Sequence, residues 1–203
     1  KMAYAYYDRF SDSRKLFDDL EISKSPDYEK HLNKYPTIFI DWNRFAAIKK
    51  SDIVTVAQKK IVADLKKSFP FLKEENILFD ALTEINETTG DRFIMIIDEW
   101  DMLVRDEDKS ICDQYVNFLR SMFKANSANK IFLLVYMTGI LPIIKYETQS
   151  AMNNFREQSV INPGPTAKYY GFTKEEVKTL CEKYNMDLEQ MEHAYDGYIV
   201  GDE

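Results

Sequence analysis

Three apolar runs of strand length dominate what this chain can fold into: Thr37-Ile38-Phe39-Ile40-Asp41, Phe93-Ile94-Met95-Ile96-Ile97 and Lys130-Ile131-Phe132-Leu133-Leu134-Val135-Tyr136-Met137. Between them, apolar residues recur at helical spacing over about 52–69, 74–88 and 109–124. The second and third runs are almost continuously apolar, the pattern of strands covered on both faces. Strands alternating with helices in this way predict a parallel α/β sheet. After Met137 the pattern changes to a helix over about 141–155, a loop through Asn162-Pro163-Gly164-Pro165, and helices opened by Thr173 and Asp187. Thr173-Lys174-Glu175-Glu176 is a capping box, in which hydroxyl and carboxylate satisfy each other's backbone amides. The boundary is placed at Pro163, giving an α/β core over 1–162 and a helical extension over 163–203.

Composition narrows the class. A chain of 203 residues that is 45% hydrophobic can bury one substantial core. Its net charge of −7 lacks the basic footprint of a nucleic-acid binder. The pairs Lys49-Lys50, Lys59-Lys60 and Lys66-Lys67 punctuate one helical region and read as a solvated face, so nucleic-acid binding is unproven. Cys112 and Cys181 have no close Cys or His neighbour in sequence, which suits reduced thiols, and with His31 and His193 as the two histidines a zinc site is not expected. No run reaches the roughly 18–20 apolar residues that span a bilayer. These features predict a cytoplasmic protein without membrane contact. A helix is expected over about 2–8 with no capping residue before it, and that uncapped start predicts a further segment upstream.

Chemistry concentrates where the second run ends in Asp98-Glu99-Trp100-Asp101. In open α/β sheets, ligands bind beyond the carboxyl ends of the strands, where these acids would be delivered. Nucleotide hydrolysis needs one carboxylate to hold Mg²⁺ and a second to orient the attacking water. Asp98 suits the first role and Glu99 the second, with Asp101 in support of the metal shell. The plainer alternative is an acid pair at the start of a helix, where each acid gains only about 0.3–1 kcal/mol from the helix dipole. The third run ends in Met137-Thr138-Gly139, which puts the Thr138 hydroxyl at the same edge, where it would touch the terminal phosphate or the water. Its plainer alternative is a turn or capping residue before Gly139.

Taken with these motifs, several further segments make the chain resemble the bacterial AAA-ATPase-like domain proteins from end to end. They are Tyr6-Tyr7-Asp8, Ser13-Arg14-Lys15-Leu16-Phe17, Phe39-Ile40-Asp41, Met137-Thr138-Gly139-Ile140-Leu141-Pro142-Ile143, Asn153-Asn154-Phe155, Tyr170-Gly171-Phe172 with the capping box after it, and Tyr195-Asp196-Gly197-Tyr198. The resemblance implies a three-layer P-loop NTPase core with a parallel sheet, carrying a C-terminal helical extension. It implies ATP and Mg²⁺ as cofactors, Asp98 and Glu99 in the Walker B positions, and Thr138 in a sensor position. It also implies a downstream restriction-nuclease-like domain as a partner of the ATPase.

One part of that pattern is missing from the sequence. The glycines are Gly90, Gly139, Gly164, Gly171, Gly197 and Gly201, and none is followed by Lys and then Ser or Thr. Without such a loop no backbone amides cradle phosphates and no lysine reaches them, so these 203 residues alone are expected to bind ATP poorly. Arg120, Arg156 and Lys168 are candidates for a trans-acting or sensor cation that would meet charge developing on the terminal phosphate, and the sequence singles out none of them. The alternative function is a non-catalytic interaction module on a degenerate ATPase fold, presenting Tyr169-Tyr170-Gly171-Phe172 to a protein partner. A metal-dependent nuclease on Asp98, Glu99 and Asp101 fits less well, because the first lysine after them is Lys109.

Overall fold

A computed structural model describes residues 1–45, 47–73, 77–106, 108–124, 128–141 and 154–195. Most of the segment expected to be helical over 141–155, the start of the helix expected from residue 74, Asn153, the side chain of Lys168, and Asp196-Gly197-Tyr198 lie outside the described residues. The chain forms two compact units, Lys1–Asn154 and Phe155–Glu203.

The first unit is α/β. Its sheet has three parallel strands in the order β1-β2-β3: β1 Thr37–Asp41, β2 Phe93–Asp98 and β3 Phe132–Met137. The helices are α1 Met2–Tyr7, α2 Tyr28–His31, α3 Ile53–Ser68, α4 Leu78–Thr89, α5 Lys109–Phe123 and the single turn α6 Ala128–Ile131. β2 is the central strand, and its five apolar residues Phe93 to Ile97 are buried, as a run with both faces covered requires. α3 buries Ile53, Val54, Ala57 and Val62, whereas α4 buries Leu78, Ala81, Leu82 and Ile85, in each case one stripe at helical spacing. Gly90 follows α4 in the left-handed conformation (φ 77°), where a side chain would be strained, and its N–H closes the helix on the Asn86 carbonyl.

β3 departs from expectation in two ways. Lys130 and Ile131, expected in the strand, close a helical turn over 128–131 instead, because Ala128 and Ile131 are buried and Arg92 donates N–H groups to the Asn129 and Phe132 carbonyls at 2.9 Å each. Nor is the strand covered on both faces. Leu133, Leu134 and Tyr136 are 43%, 40% and 52% exposed, and among the described residues β3 pairs with β2 along one edge and with no strand along the other.

Beneath the carboxyl edge lies an aromatic cluster. Trp42, immediately after β1, is fully buried edge-on to Tyr115 of α5 with ring centroids 5.1 Å apart, and its indole N–H donates to the Tyr115 hydroxyl at 3.0 Å. A second apolar cluster of Tyr6, Phe17, Tyr28 and Leu32 sits under α1. There the Asn33 side-chain amide donates to the carbonyls of Ala5 (3.0 Å) and Asp8 (2.9 Å), which the short helix leaves without partners. The segments Tyr6-Tyr7-Asp8 and Ser13 to Phe17 thus have a packing role.

The second unit contains α7 Lys174–Tyr184 and α8 Leu188–Tyr195. The capping box expected at Thr173 is present: the Glu176 N–H donates to the Thr173 hydroxyl, and the Glu176 carboxylate accepts from the Thr173 N–H at 2.8 Å. Among the described residues no helix is long and apolar enough to cross a membrane.

At the amino end of the sheet, Arg9 clamps Asp91 with two parallel N–H donors at 2.6 and 2.7 Å, joining the end of α1 to the start of β2. These bonds hold the Asp91 carboxyl below the usual carboxylate range, against a partial burial that opposes them. The folded state therefore favours charged Asp91. Its contribution is complete above the ordinary carboxylate range, near pH 4, and is lost as pH falls through the lower folded value. Asp91→Asn is expected to lower stability at neutral pH by about 1 kcal/mol. The difference from wild type should close in acid, as followed by thermal melts across pH; a gap that stays constant into acid would contradict the ion pair.

Candidate functional site at the carboxyl edge of the sheet

Parallel pairing sets the ends of the strands side by side. Asp41 at the end of β1 is in register with Asp98 at the end of β2, and Ile97 is in register with Met137 of β3. The β2–β3 ladder then continues past β3, as the Thr138 N–H donates to the Ile97 carbonyl and the Trp100 N–H donates to the Thr138 carbonyl, both at 2.9 Å. Thr138 is thereby fixed beside Asp98, and its hydroxyl donates to Oδ1 of Asp98. The two residues lie 40 positions apart in the chain. Asp41 is engaged locally, accepting the Asn43 N–H at 3.1 Å.

Glu99 is half-buried and has φ 54°, a left-handed conformation that costs a residue with a Cβ about 1 kcal/mol. The strain is offset by what the turn achieves. It buries Trp100 (3% exposed) and Asp101 (0% exposed), and the Met102 N–H closes on the Glu99 carbonyl at 3.0 Å.

Asp101, expected to support the metal shell, has its carboxylate among protein partners. Its Oδ1 accepts the Ile140 N–H at 3.4 Å, and its Oδ2 accepts the Leu141 N–H at 3.1 Å and faces Nε of Arg105 at 3.2 Å. A buried charge needs such compensation. The same guanidinium turns a terminal nitrogen to Oε2 of Glu99 at 3.4 Å. Two pairs therefore form here: Asp98 with Thr138 directly, and Glu99 with Asp101 through Arg105. Burial pushes the Tyr115 hydroxyl of α5 above its ordinary range; the Trp42 N–H opposes that shift and the charge of Asp101 adds to it, so the hydroxyl stays neutral.

Gly139 is required by the same packing. A Cβ there would fall 2.5 Å from Cδ1 and 2.7 Å from Nε1 of Trp100, and 2.6 Å from Oδ1 of Asp101. The role of Arg105 and the contact at Gly139 escape a reading of strand ends alone. The legible signal for the first was an arginine four residues after an aspartate, the spacing of neighbours on one turn. Gly139→Ala is expected to destabilise the protein by about 1–3 kcal/mol, because both neighbours it would strike are buried. A thermal melt unchanged from wild type would contradict this packing.

The class is that of parallel α/β proteins, here with carboxylates and a hydroxyl gathered beyond the strand ends, the edge at which open α/β sheets in general take their ligands. The family is more specific. The model of the AAA-ATPase-like family, described as predicted AAA-ATPases, matches residues 1–148, and the chain belongs to that family. Comparison with curated proteins gave no match.

Proposed function

We propose that residues 1–162 are the part of a three-layer P-loop ATPase core that carries its Walker B and sensor residues, and that 163–203 form a helical extension. The observation that carries the reading is the hydrogen bond from Thr138 to Asp98 across two neighbouring strand ends, with Glu99 as the next residue. Chance capping of a helix does not require a hydroxyl from another strand.

Among the described residues no three His, Cys, Asp or Glu side chains gather into a metal cage. Mg²⁺ in phosphoryl-transfer sites does not need one, since it binds through one or two carboxylates, phosphate oxygens and water. Asp98 fits that chemistry. It is half-buried, Thr138 occupies its Oδ1, and its Oδ2 accepts no hydrogen bond among the described residues. Asp98 would hold Mg²⁺, directly or through water, and the ion would neutralise phosphate charge. Thr138 fixes the rotamer of Asp98 through Oδ1. Glu99 orients the attacking water and accepts its proton as the bond from the water oxygen to the terminal phosphorus forms and the bond from that phosphorus to the bridging oxygen breaks, with ADP leaving. Asp101 we assign to holding the β3 end in place, since its oxygens face backbone donors and Arg105.

A phosphate-binding loop would complete this site. The outermost edge of β3, with Leu133, Leu134 and Tyr136 exposed, suits a further parallel strand that would deliver such a loop beside Thr138. A downstream nuclease-like domain is a proposed partner of the ATPase. The rival reading, a protein-interaction module, draws its support from the second unit. There an apolar cavity of about 790 Å³ is lined by Tyr170, Phe172, Leu180, Tyr184, Met191 and Tyr195 among others.

In the protein with its phosphate-binding loop, Glu99→Gln is expected to slow ATP hydrolysis by about 10²–10⁴ while leaving nucleotide binding intact. Asp98→Asn should instead weaken the Mg²⁺ dependence of binding. Turnover equal to wild type in the first variant would remove Glu99 from the mechanism, and an unchanged Mg²⁺ titration in the second would remove Asp98 from the metal site.

A further inference from the structure

The Walker B assignment leaves one cation unused at the site. Arg105 lies in the turn between β2 and α5, and its backbone N–H closes on the Asp101 carbonyl at 3.0 Å. Its guanidinium meets two carboxylates of unlike surroundings: Asp101, with a side chain 0% exposed, and Glu99, 36% exposed. The Asp101 contact is the fixed one, because that carboxylate is also held by the Ile140 and Leu141 amides. The Glu99 contact, at 3.4 Å, is longer and open to solvent. Pairs this exposed contribute little to stability, so the geometry they impose matters more than their energy. A planar guanidinium anchored at Nε presents its terminal N–H groups in a fixed direction, which a lysine ammonium does not.

We propose that Arg105 is the positioning residue for Glu99: anchored on buried Asp101, it restrains the Glu99 carboxylate at the carboxyl edge of β2 beside the Asp98–Thr138 pair. The proposal rests on the reading of Glu99 as the water-orienting carboxylate. The left-handed backbone of Glu99 makes the restraint necessary. With φ at 54°, Glu99 lies in a turn outside regular structure, and the hydrogen bond from Arg105 holds its carboxylate there. Arg105 also ties Glu99 to the β3 end, because the Asp101 it grips accepts the amides that follow Gly139. Movement of the segment after Thr138 would thus reach Glu99 through the amides on Asp101 and the contacts of Arg105 with both acids.

The test uses Arg105→Gln, Arg105→Lys and Glu99→Gln in the protein with its phosphate-binding loop. Arg105→Gln is expected to lower kcat about 10- to 100-fold, the scale of a misplaced catalytic group, with KM and the Kd for a fluorescent ATP analogue within about two-fold of wild type. Arg105→Lys is expected to fall between the two, since a point charge can serve one acid but not bridge both. A readout without nucleotide accompanies these. Melting temperatures of Glu99→Gln, Arg105→Gln and the double variant should be non-additive, as for groups in direct contact. Wild-type kcat in Arg105→Gln, or additive melting shifts, would overturn the proposal. Should Arg105→Gln fail to fold, Arg105→Lys decides: a reduced kcat at unchanged Kd supports the restraint, and a wild-type kcat overturns it. Full activity in Glu99→Gln would sink the ATPase assignment itself, whereas an inactive Glu99→Gln beside a fully active Arg105→Gln would sink only the role of Arg105.

Discussion

The carboxylate of Asp101 is buried completely, and a charge taken out of water costs several kcal/mol unless donors surround it. The donors here are two consecutive amides from the segment after β3 and the guanidinium of Arg105. That requirement welds the end of β3 to the turn after β2. It brings Gly139 so close to Trp100 that no side chain fits, and it leaves Thr138 beside Asp98. The hydroxyl-carboxylate pair at the edge is therefore supported by a buried charge that takes no part in the proposed chemistry. Removing one partner of such an arrangement costs more than the pair itself contributes, because the other charge is left without compensation.

Much of the sheet was legible because its residues have one job. Phe93 to Ile97 are apolar in unbroken sequence and buried in the centre, so pattern and structure agree. The same holds for β1, for the bodies of the helices at 53–68 and 109–123, and for the capping box at Thr173, where local chemistry decides local form. Where tertiary contacts decide, the pattern misled. Lys130 and Ile131 look like the start of a strand but end a helical turn over 128–131, where Arg92 reaches across to the Asn129 and Phe132 carbonyls. β3 reads as a covered strand because Leu133, Leu134 and Tyr136 are apolar, yet all three are exposed at the outermost edge of the sheet.

The candidate site divides along the same line. Acids and a hydroxyl at strand ends can be read directly, since strand direction fixes the edge they reach. The division of labour among three acids cannot, because spacing does not tell which carboxylate is buried. Asp98, Glu99 and Asp101 are near neighbours in sequence, but one bonds to a hydroxyl, one meets a cation in a left-handed turn, and one is sealed under backbone amides. In the second unit the apolar residues of α7 and α8 line a cavity rather than a closed core, which gives that unit a surface of a different kind from the polar edge of the sheet.

The central claim is that the edge formed by Asp98, Glu99 and Thr138 binds Mg²⁺-nucleotide once a phosphate-binding loop stands beside β3. The most direct measurement is Mg²⁺-dependent binding of a fluorescent ATP analogue, by titration, to these 203 residues and to a polypeptide in which a strand and phosphate-binding loop precede them. The account predicts saturable, Mg²⁺-dependent binding by the longer polypeptide and weak or no binding by the shorter. Absence of binding by both would contradict it and leave the interaction module as the better description of the fold.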